Sequence, residues 1–284
     1  MSARNEELAM TAQNEELAMS ARLAILTVVR DDRPGLLATH RSLREQTLQD
    51  FDWIVVDGAS TDGTADWLRA HAGEMAWWRS APDGGLYDAM NVALDAALAA
   101  TAASHVLFLN AGDTLAGPEV LARLEAAAIA APEADLLYGH ALERLPDGRL
   151  VAKRARSHRL AALGMFTHHQ AMLYRTAALG ALRFDPGYTV AADYAFTLSV
   201  LGRGGVVAPI PRFVCIFAAG GRSQRDADQG RREQAAIRHK LLGYGILRNA
   251  TLSNLQRIAF SVRKHAPWLY EKFRFRRPDT SCLL

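Results

Sequence analysis

Short apolar runs that alternate with helical patterns constrain the fold of this chain more than any other feature. Strand-like runs cover residues 23–29, 51–56, 75–79 and 105–109, and helical patterns cover 35–46, 64–71, 87–100 and 118–130. Strands that alternate with helices form a parallel sheet with helices on its faces. The sequence therefore predicts an α/β fold, which less regular strand-like runs at 136–138 and 170–174 continue.

The C-terminal part differs in charge from the rest of the chain. The 284 residues have a formal net charge of +3, yet residues 222–277 hold 14 Lys and Arg residues against 4 Asp and Glu residues. A basic segment of this kind favours an anionic partner, either nucleic acid or an anionic membrane surface. We therefore divide the chain into a main domain at 22–222 and a basic helical tail at 223–284.

The first 21 residues contain a duplication. The segment Asn5-Glu6-Glu7-Leu8-Ala9-Met10 recurs as Asn14-Glu15-Glu16-Leu17-Ala18-Met19. Two copies are too few for a repeat architecture, which needs several stacked units to bury a core. We treat residues 1–21 as a disordered or helical extension outside the fold.

Cysteine usage and hydropathy indicate the compartment. Cys215 and Cys282 are the two cysteines, and their distance in sequence predicts neither a disulfide framework nor a zinc site. No apolar run reaches the ~18–20 residues that span a bilayer, since Pro209 and Pro211 interrupt the run at 206–219. The N-terminus also lacks the basic flank and apolar core of a secretion signal. We expect a cytoplasmic protein.

The segment Asp57-Gly58-Ala59-Ser60-Thr61-Asp62-Gly63-Thr64 joins the second strand-like run to a helical pattern. It places Asp57 at the carboxyl edge of the predicted sheet, where ligands bind in open α/β folds. Capping hydroxyls and free N–H groups gather at the same helix start. The alternative is an ordinary turn, because these residue types are common in turns.

The segment Pro82-Asp83-Gly84-Gly85-Leu86-Tyr87-Asp88-Ala89-Met90-Asn91 follows the third run. Its glycine pair lets a ligand approach the backbone, and the helix start offers N–H donors to an anion. Asp88 and Asn91 share one helix face. The alternative is that Asp83 and Asp88 only cap the helix.

Two further carboxylates stand at promising positions. Asp113 closes the segment Phe108-Leu109-Asn110-Ala111-Gly112-Asp113 after a buried strand, where a hard divalent cation would find oxygen ligands. Asp193 opens a helix in an apolar setting, where a carboxylate can act as general base. A turn aspartate and a first-turn charge are the respective alternatives. His168 and His169, beside Gln170, are candidates for contacts with an acceptor or a metal.

The order of these segments resembles the family 2 glycosyltransferases, most closely the colanic-acid-type exopolysaccharide enzymes. The resemblance covers roughly residues 23–223. The segments that carry it are Thr27–Arg30, Asp57–Thr64, Pro82–Asn91, Leu109–Asp113, His169-Gln170-Ala171, Ala192-Asp193-Tyr194 and Gly220-Gly221-Arg222-Ser223.

The resemblance implies a GT-A fold, a mixed sheet flanked by helices with a Rossmann-like nucleotide-sugar half and an acceptor half. It also implies an inverting, Mn²⁺- or Mg²⁺-dependent transfer from a nucleoside-diphosphate sugar to a glycan or lipid-linked acceptor. Asp57 would contact the nucleoside base, Asp113 the metal, and Asp193 would be the catalytic base. Asn110 replaces the first aspartate of the family's Asp-x-Asp, which weakens the expectation of a metal. The implied donor-side residues are Arg30, Asp57, Asp83, Gly84, Tyr87, Asp88, Asn91 and Asn110, and those on the acceptor side are His169 and Gln170.

Two other functions remain open from the residues alone. A sugar nucleotidyltransferase shares the phosphate requirement, but the first strand lacks the expected glycine-rich phosphate loop. A catalytically idle protein could use its tail on nucleic acid, but no recognised nucleic-acid module accompanies the charge. The tail also carries the aromatic residues Trp268, Tyr270, Phe273 and Phe275 among basic residues, which suits the inner leaflet of an anionic membrane. The alternative is that these aromatics pack on the main domain.

Overall fold

A computed structural model describes residues 21–145, 147–218 and 226–265, which form a nine-stranded sheet flanked by helices. The strands are β1 (Leu23–Val29), β2 (Phe51–Asp57), β3 (Trp77–Ser80), β4 (His105–Phe108), β5 (Thr114–Leu115), β6 (Ala134–Arg144), β7 (Leu150–Lys153), β8 (Met172–Arg175) and β9 (Val206–Ala218). The α-helices are α1 (Arg33–Arg44), α2 (Thr64–Ala70), α3 (Leu86–Ala100), α4 (Val120–Ala130), α5 (Thr176–Leu179), α6 (Ala192–Leu201), α7 (Ala227–Leu242) and α8 (Ile246–His265).

The first half of the sheet is parallel, and its strands β1, β2 and β4 are buried on both faces. Its strands lie in the order β3-β2-β1-β4, and all neighbours in this part are parallel. Successive residues of β1 alternate between two core clusters, with Leu26 in one and Ile25 in the other. Because β2 and β4 lie on opposite sides of β1, the strand order reverses there. A crevice outside the carboxyl ends of β1 and β4 is therefore the expected ligand position.

The second half makes the sheet mixed. β8 is antiparallel to both β4 and β6, and β9 runs parallel to β6 with register shifts. β9 covers the apolar run that Pro209 and Pro211 exclude as a membrane span. The sequence does not predict a strand in this segment. Pro209 and Pro211 fit because β5 pairs with β9 only at Cys215 and Ile216, so the preceding part of β9 is an edge next to a bulge.

The predicted element boundaries agree best in the parallel half. The strand predicted at 23–29 is β1, and the helix predicted at 87–100 begins one residue earlier as α3. The strand predicted at 170–174 begins only at Met172, because His169–Ala171 form a 3-10 turn. The predicted mixed sheet flanked by helices is confirmed.

Part of the predicted basic tail is packed on the main domain. α7 contacts α6, and its Ile237 is fully buried in a core cluster. The predicted tail aromatics, the Gly220–Ser223 segment and the duplicated copies at 1–20 lie outside the described residues. No helix in the described part of the chain is long and apolar enough to cross a membrane. The division into 22–222 and 223–284 stays a prediction.

Candidate active site

Hydrogen bonds join the loops that follow β1 and β2. The N–H of Asp31 donates to Ser60 Oγ at 2.7 Å, and the N–H of Thr61 donates to Asp31 Oδ1 at 2.8 Å. Asp31 and Ala59 both adopt a left-handed backbone, with φ of 49° and 57°. A non-glycine residue holds this conformation only where its surroundings impose it. The two loops therefore form one fixed surface at the sheet edge.

Asp57 ends β2 and is fully buried. Its carboxylate accepts hydrogen bonds from the hydroxyl of Ser60 and, at 2.6 Å, from the hydroxyl of Ser80. Ser80 lies opposite Asp57 in the register of β2 and β3. The carboxylate thus joins the ends of two strands to the following loop. Its contact with a nucleoside base stays a prediction.

Gly58 allows Arg30 and Asp83 to meet above the sheet edge. A Cβ atom at Gly58 would lie 2.6 Å from Asp83 Oδ2 and 3.3 Å from Arg30 Cδ. The side chain of Arg30 is 65% exposed, so its guanidinium is accessible to an anion. The structure therefore brings together two predicted donor-side residues from the first and third sheet-edge loops.

The start of α3 holds the next predicted donor-side residues. Asp88 Oδ2 accepts the N–H of Gly84 at 2.8 Å, and Asp83 Oδ1 accepts the N–H of Gly85 at 2.9 Å. Gly85 has a φ of 117°, a conformation that favours glycine. Both aspartates therefore hold the turn that precedes α3, and neither provides a side-chain cap to the helix itself. Their contact with the donor stays a prediction. An anionic ligand would compete with these carboxylates for the N–H groups.

Tyr87 and Asn91 face the segment before Asp193. The Tyr87 hydroxyl donates to the carbonyl of Val190 at 2.7 Å and lies 3.4 Å from Asp193 Oδ1. Asn91 exchanges two hydrogen bonds with the backbone of Phe184, at 2.9 and 2.8 Å. These contacts hold the polypeptide that leads to the predicted base. A contact of either side chain with the donor stays a prediction.

Asp113 is buried at the crevice beside β4. Its Oδ2 accepts a hydrogen bond from Gln170 Nε2 at 2.7 Å, and its Oδ1 accepts one from the N–H of Ala218 at 3.0 Å. Burial raises the pKa of Asp113 to about 6, although these two hydrogen bonds and the nearby His169 oppose the rise. Gln170, predicted on the acceptor side, therefore orients the predicted metal ligand.

Asp193 lies in the first turn of α6 with its side chain 19% exposed. Its Oδ2 is 3.4 Å from Nδ1 of His169, and Nε2 of that ring is 3.5 Å from Asn110 Nδ2. The structure therefore aligns the predicted base, a predicted acceptor-side residue and a predicted donor-side residue. These distances are long for hydrogen bonds, so the three side chains retain the capacity to bind a ligand.

The fit of a divalent cation depends on Asn110 and Asp113. Among the described residues, no group of three or more His, Cys, Asp and Glu could hold a metal ion. Asn110 Oδ1, however, is buried and accepts no hydrogen bond from any described residue. Amide and carboxylate oxygens are the hard ligands that Mg²⁺ and Mn²⁺ accept. Asn110 and Asp113 therefore offer oxygen types that a divalent cation accepts, and the binding of a metal by Asp113 stays a prediction.

Residues that the sequence analysis did not find also build the site. The Thr39 hydroxyl donates to the carbonyl of Asp113 at 2.7 Å and accepts the N–H of Gly112 at 3.1 Å, so α1 fixes the loop after β4. No local signal marks Thr39, because its partners lie more than 70 positions away in sequence. Ser80 could have been found, since pairing β2 with β3 in parallel places it opposite Asp57.

A charged cluster beside His169 was also not predicted. Glu143 Oε1 accepts a hydrogen bond from Lys153 Nζ at 2.8 Å, and His168 Nε2 lies 2.9 Å from both Glu143 Oε1 and Lys153 Nζ. Burial and the charge of Lys153 lower the pKa of His168 to about 4. Burial opposes ionisation of Glu143, yet its two partners hold the pKa of that carboxyl well below its usual range. The cluster is an ionised pair with a neutral imidazole on the predicted acceptor side.

Comparison with known sequences identifies the family. A family model described as glycosyl transferase family 2 matches residues 24–186. An uncharacterized glycosyltransferase of Mycobacterium tuberculosis is 30% identical over 181 residues, which cover 62% of this chain and 67% of that protein. A PGL/p-HBAD biosynthesis glycosyltransferase of Mycobacterium bovis is 32% identical over 170 residues, covering 55% of this chain and 60% of the relative. The narrower likeness to colanic-acid-type enzymes stays a prediction.

Solved structures share the fold. Staphylococcus aureus TarS 1–349 in complex with UDP has a TM-score of 0.60 at 19% identity, covering 86% of this chain and 73% of TarS 1–349. The mannosyltransferase PcManGT of Pyrobaculum calidifontis, in complex with GDP-Man and Mn²⁺, has a TM-score of 0.58 at 18% identity, covering 79% and 65%. The predicted GT-A fold is thereby confirmed. Since the family model also covers more than half of the chain, this protein belongs to glycosyl transferase family 2 and is a glycosyltransferase.

Proposed function

We propose that this enzyme transfers a sugar from a nucleoside-diphosphate sugar to a hydroxyl of a glycan or lipid-linked acceptor, with inversion at the anomeric carbon. The observation that carries the proposal is the position of Asp193. It is a partly exposed carboxylate at a helix start, 3.4 Å from His169, which is adjacent in sequence to the Gln170 that binds Asp113. A general base needs this combination of access and a polar neighbour.

The reaction is a single displacement. Asp193 accepts the proton of the acceptor hydroxyl while the hydroxyl oxygen bonds to the anomeric carbon. The bond between that carbon and the diphosphate oxygen breaks, and the nucleoside diphosphate leaves with the electron pair. Attack from the face opposite the leaving group inverts the configuration. His169, beside Asp193 Oδ2, orients the carboxylate toward the acceptor.

The sheet-edge loops supply a donor site of matching chemistry. Arg30 offers an exposed guanidinium to phosphate, and Asp83 beside it offers a carboxylate to hydroxyl or base N–H groups. Fold neighbours support this class of donor, because TarS has been crystallised with UDP and UDP-GlcNAc and PcManGT with GDP-Man. The family assignment favours this function over a nucleotidyltransferase or an idle binding protein.

A divalent cation belongs to the proposal as well. Asp113 and Asn110 would hold it through a carboxylate and an amide oxygen. The cation supplies positive charge that stabilises the departing diphosphate. The presence of Mn²⁺ in the PcManGT complex supports this choice.

The experiment that tests the proposal is an acceptor-dependent release of nucleoside diphosphate. UDP-, GDP- and dTDP-sugars are offered with Mn²⁺ and a panel of glycan and lipid-linked acceptors. Asp193→Asn should lower the rate by at least about 10³-fold while UDP or GDP still binds, because only the proton acceptor is lost. The matched control is Asp185→Asn, a partly exposed carboxylate earlier in the same segment. Equal activity of Asp193→Asn and the control would remove Asp193 from the mechanism.

We propose further that the acceptor belongs to polysaccharide biosynthesis and that the enzyme binds the inner membrane surface peripherally. The membrane proposal is supported by the apolar side chains that α8 exposes. Ile246 and Leu247 are 87% and 85% exposed, and Leu255 and Ile258 are more than half exposed. Apolar side chains on a basic helix suit an anionic membrane interface. Co-sedimentation should be stronger with phosphatidylglycerol vesicles than with phosphatidylcholine vesicles, and Leu247→Ser should weaken it. Equal binding to both lipids would refute the membrane proposal.

A further inference from the structure

Glu233 is a buried carboxylate on α7 that binds three consecutive backbone N–H groups. Its Oε2 accepts those of Val190 and Ala191 at 2.9 and 2.8 Å. Its Oε1 accepts the N–H and the hydroxyl of Thr189 at 2.9 and 3.0 Å. Burial opposes ionisation, but these hydrogen bonds lower the pKa of Glu233 below its usual value. The carboxylate is therefore ionised and its hydrogen bonds are charge-assisted.

The bonded segment lacks a cap of its own. Ala191 is the N-cap of α6 and provides no side-chain hydrogen bond. The first N–H groups of a helix have no partner within the helix, and a capping side chain usually supplies one. An anion at this end also interacts favourably with the helix dipole. Glu233 therefore caps the segment that enters α6 from a position 42 residues beyond Ala191, whereas Asp193 Oδ1 accepts the N–H of Tyr194 at 2.8 Å inside the first turn.

The packing of α7 keeps this carboxylate in place. Gly230 permits close approach, since a Cβ atom there would lie 3.1 Å from Val190 Cγ1. Arg238, which is fully buried, donates to Asn249 Oδ1 at 2.9 Å and to Ser253 Oγ at 3.2 Å, so α8 supports α7. The cap is thus part of a rigid helical pair.

We infer that Glu233 is a positioning residue for Asp193, which follows Ala191 by two positions. The inference rests on the proposed role of Asp193 as the base. Without the hydrogen bonds of Glu233, the backbone from Thr189 to Ala191 becomes more mobile. The Asp193 carboxylate then no longer stays within hydrogen-bond distance of the acceptor hydroxyl. Misplacement of a reacting group by about 1 Å can lower a rate by about 10²-fold. Part of the C-terminal region beyond residue 222 therefore belongs to the catalytic apparatus.

The test compares Glu233→Gln with Asp228→Asn, a control on the same helix whose side chain is 81% exposed. In the full-length enzyme, Glu233→Gln should lower kcat at least tenfold and leave the KM for the nucleotide sugar within twofold. Hydrogen exchange should accelerate at the amides of Thr189, Val190 and Ala191, and Glu233→Asp should restore part of kcat. The control should change none of these quantities.

The outcomes separate the inference from the proposed function. If wild type transfers sugar and Glu233→Gln keeps its kcat, the inference is wrong while the function stands. If no donor supports transfer by wild type, the function fails, and hydrogen exchange still reports whether Glu233 holds the segment. If Glu233→Gln does not fold, Gln229→Ala replaces it, because Gln229 donates to Glu233 Oε1 at 3.1 Å. Gln229→Ala should lower kcat two- to threefold. Wild-type kcat together with unchanged hydrogen exchange at residues 189–191 in this variant would overturn the inference.

Discussion

Replacing Tyr87 with Phe tests whether this side chain serves the base or the donor. The hydroxyl donates to the buried carbonyl of Val190 at 2.7 Å and lies 3.4 Å from Asp193 Oδ1. Burial and the nearby charge of Asp193 raise the pKa of Tyr87 well above its usual value, so the hydroxyl remains a donor throughout the working range. The ring stacks on Phe184 at 5.7 Å, a contact that Phe would preserve.

The magnitude follows from one lost hydrogen bond. Leaving the Val190 carbonyl without its donor should lower the free energy of unfolding by about 1–2 kcal/mol. A rise of about 1–2 kcal/mol in the activation free energy, the largest effect that this hydrogen bond could have on the position of Asp193, would lower kcat by about 5- to 30-fold. The affinity for the nucleotide sugar should not change, because the Tyr87 hydroxyl already binds the carbonyl of Val190.

Urea denaturation, steady-state kinetics and nucleotide titration measure the three quantities on Tyr87→Phe. The control is Tyr138→Phe, which lies in the same core cluster and whose hydroxyl accepts a 3.3 Å hydrogen bond from the N–H of His158 and lies 3.5 Å from Nδ1 of that ring. A fall in donor affinity as large as the fall in kcat would show that Tyr87 contacts the donor, as the sequence resemblance implied. Unchanged stability and kcat would refute the structural reasoning.

Three other substitutions test separate parts of the structure. Gly58→Ala should weaken nucleotide binding with little loss of stability, since the atoms nearest to the new Cβ belong to the side chains of Asp83 and Arg30; isothermal titration and melting temperature measure the two effects. Phe196→Ala should lower the free energy of unfolding in urea by about 3–5 kcal/mol, because the fully packed ring is deleted. Burial and the charge of Arg175 lower the pKa of His105 to about 4. Between about pH 4 and 6.5 this histidine therefore binds more protons in the unfolded chain than in the folded protein, so the free energy of unfolding falls with acidification. His105 alone should contribute about 2 kcal/mol to the decrease from pH 7 to 5, so the decrease should be smaller by that amount in His105→Gln, as urea titrations at both pH values would show.

The parallel half of the fold could be predicted because its strands are buried on both faces. β1 sends alternate side chains into two core clusters, so both faces require apolar residues and the strand appears as a continuous apolar run. β9 gave no such signal. Its first part lies at an edge that tolerates Pro209 and Pro211, and its pairing depends on β6, some 70 residues earlier.

The site shows the same division between local and distant information. Asp57, Asp113 and Asp193 were found because each follows or opens an element in a recognisable segment. Ser80 and Thr39 were not found, because they reach these loops through strand register and helix packing. Gln170 was predicted on the acceptor side, but its hydrogen bond to Asp113 was not. The sequence therefore identifies carboxylates that could react, whereas the tertiary structure decides which oxygen atoms are already engaged.

The proposed base, Asp193, illustrates why this division has functional consequences. The N-cap alanine of α6 offers no side-chain hydrogen bond, so the segment that enters the helix depends on Tyr87 from α3 and Glu233 from α7. The Tyr87 hydroxyl donates to the Val190 carbonyl, and the Glu233 carboxylate accepts the Val190 N–H. Both backbone polar groups of Val190 are therefore bound, one by a residue that precedes it in sequence and one by a residue that follows it. Loss of either anchor should free the same segment, and the two substitutions should therefore be less than additive in kcat. Full additivity would mean that the anchors act on Asp193 independently and that the segment does not move as a unit.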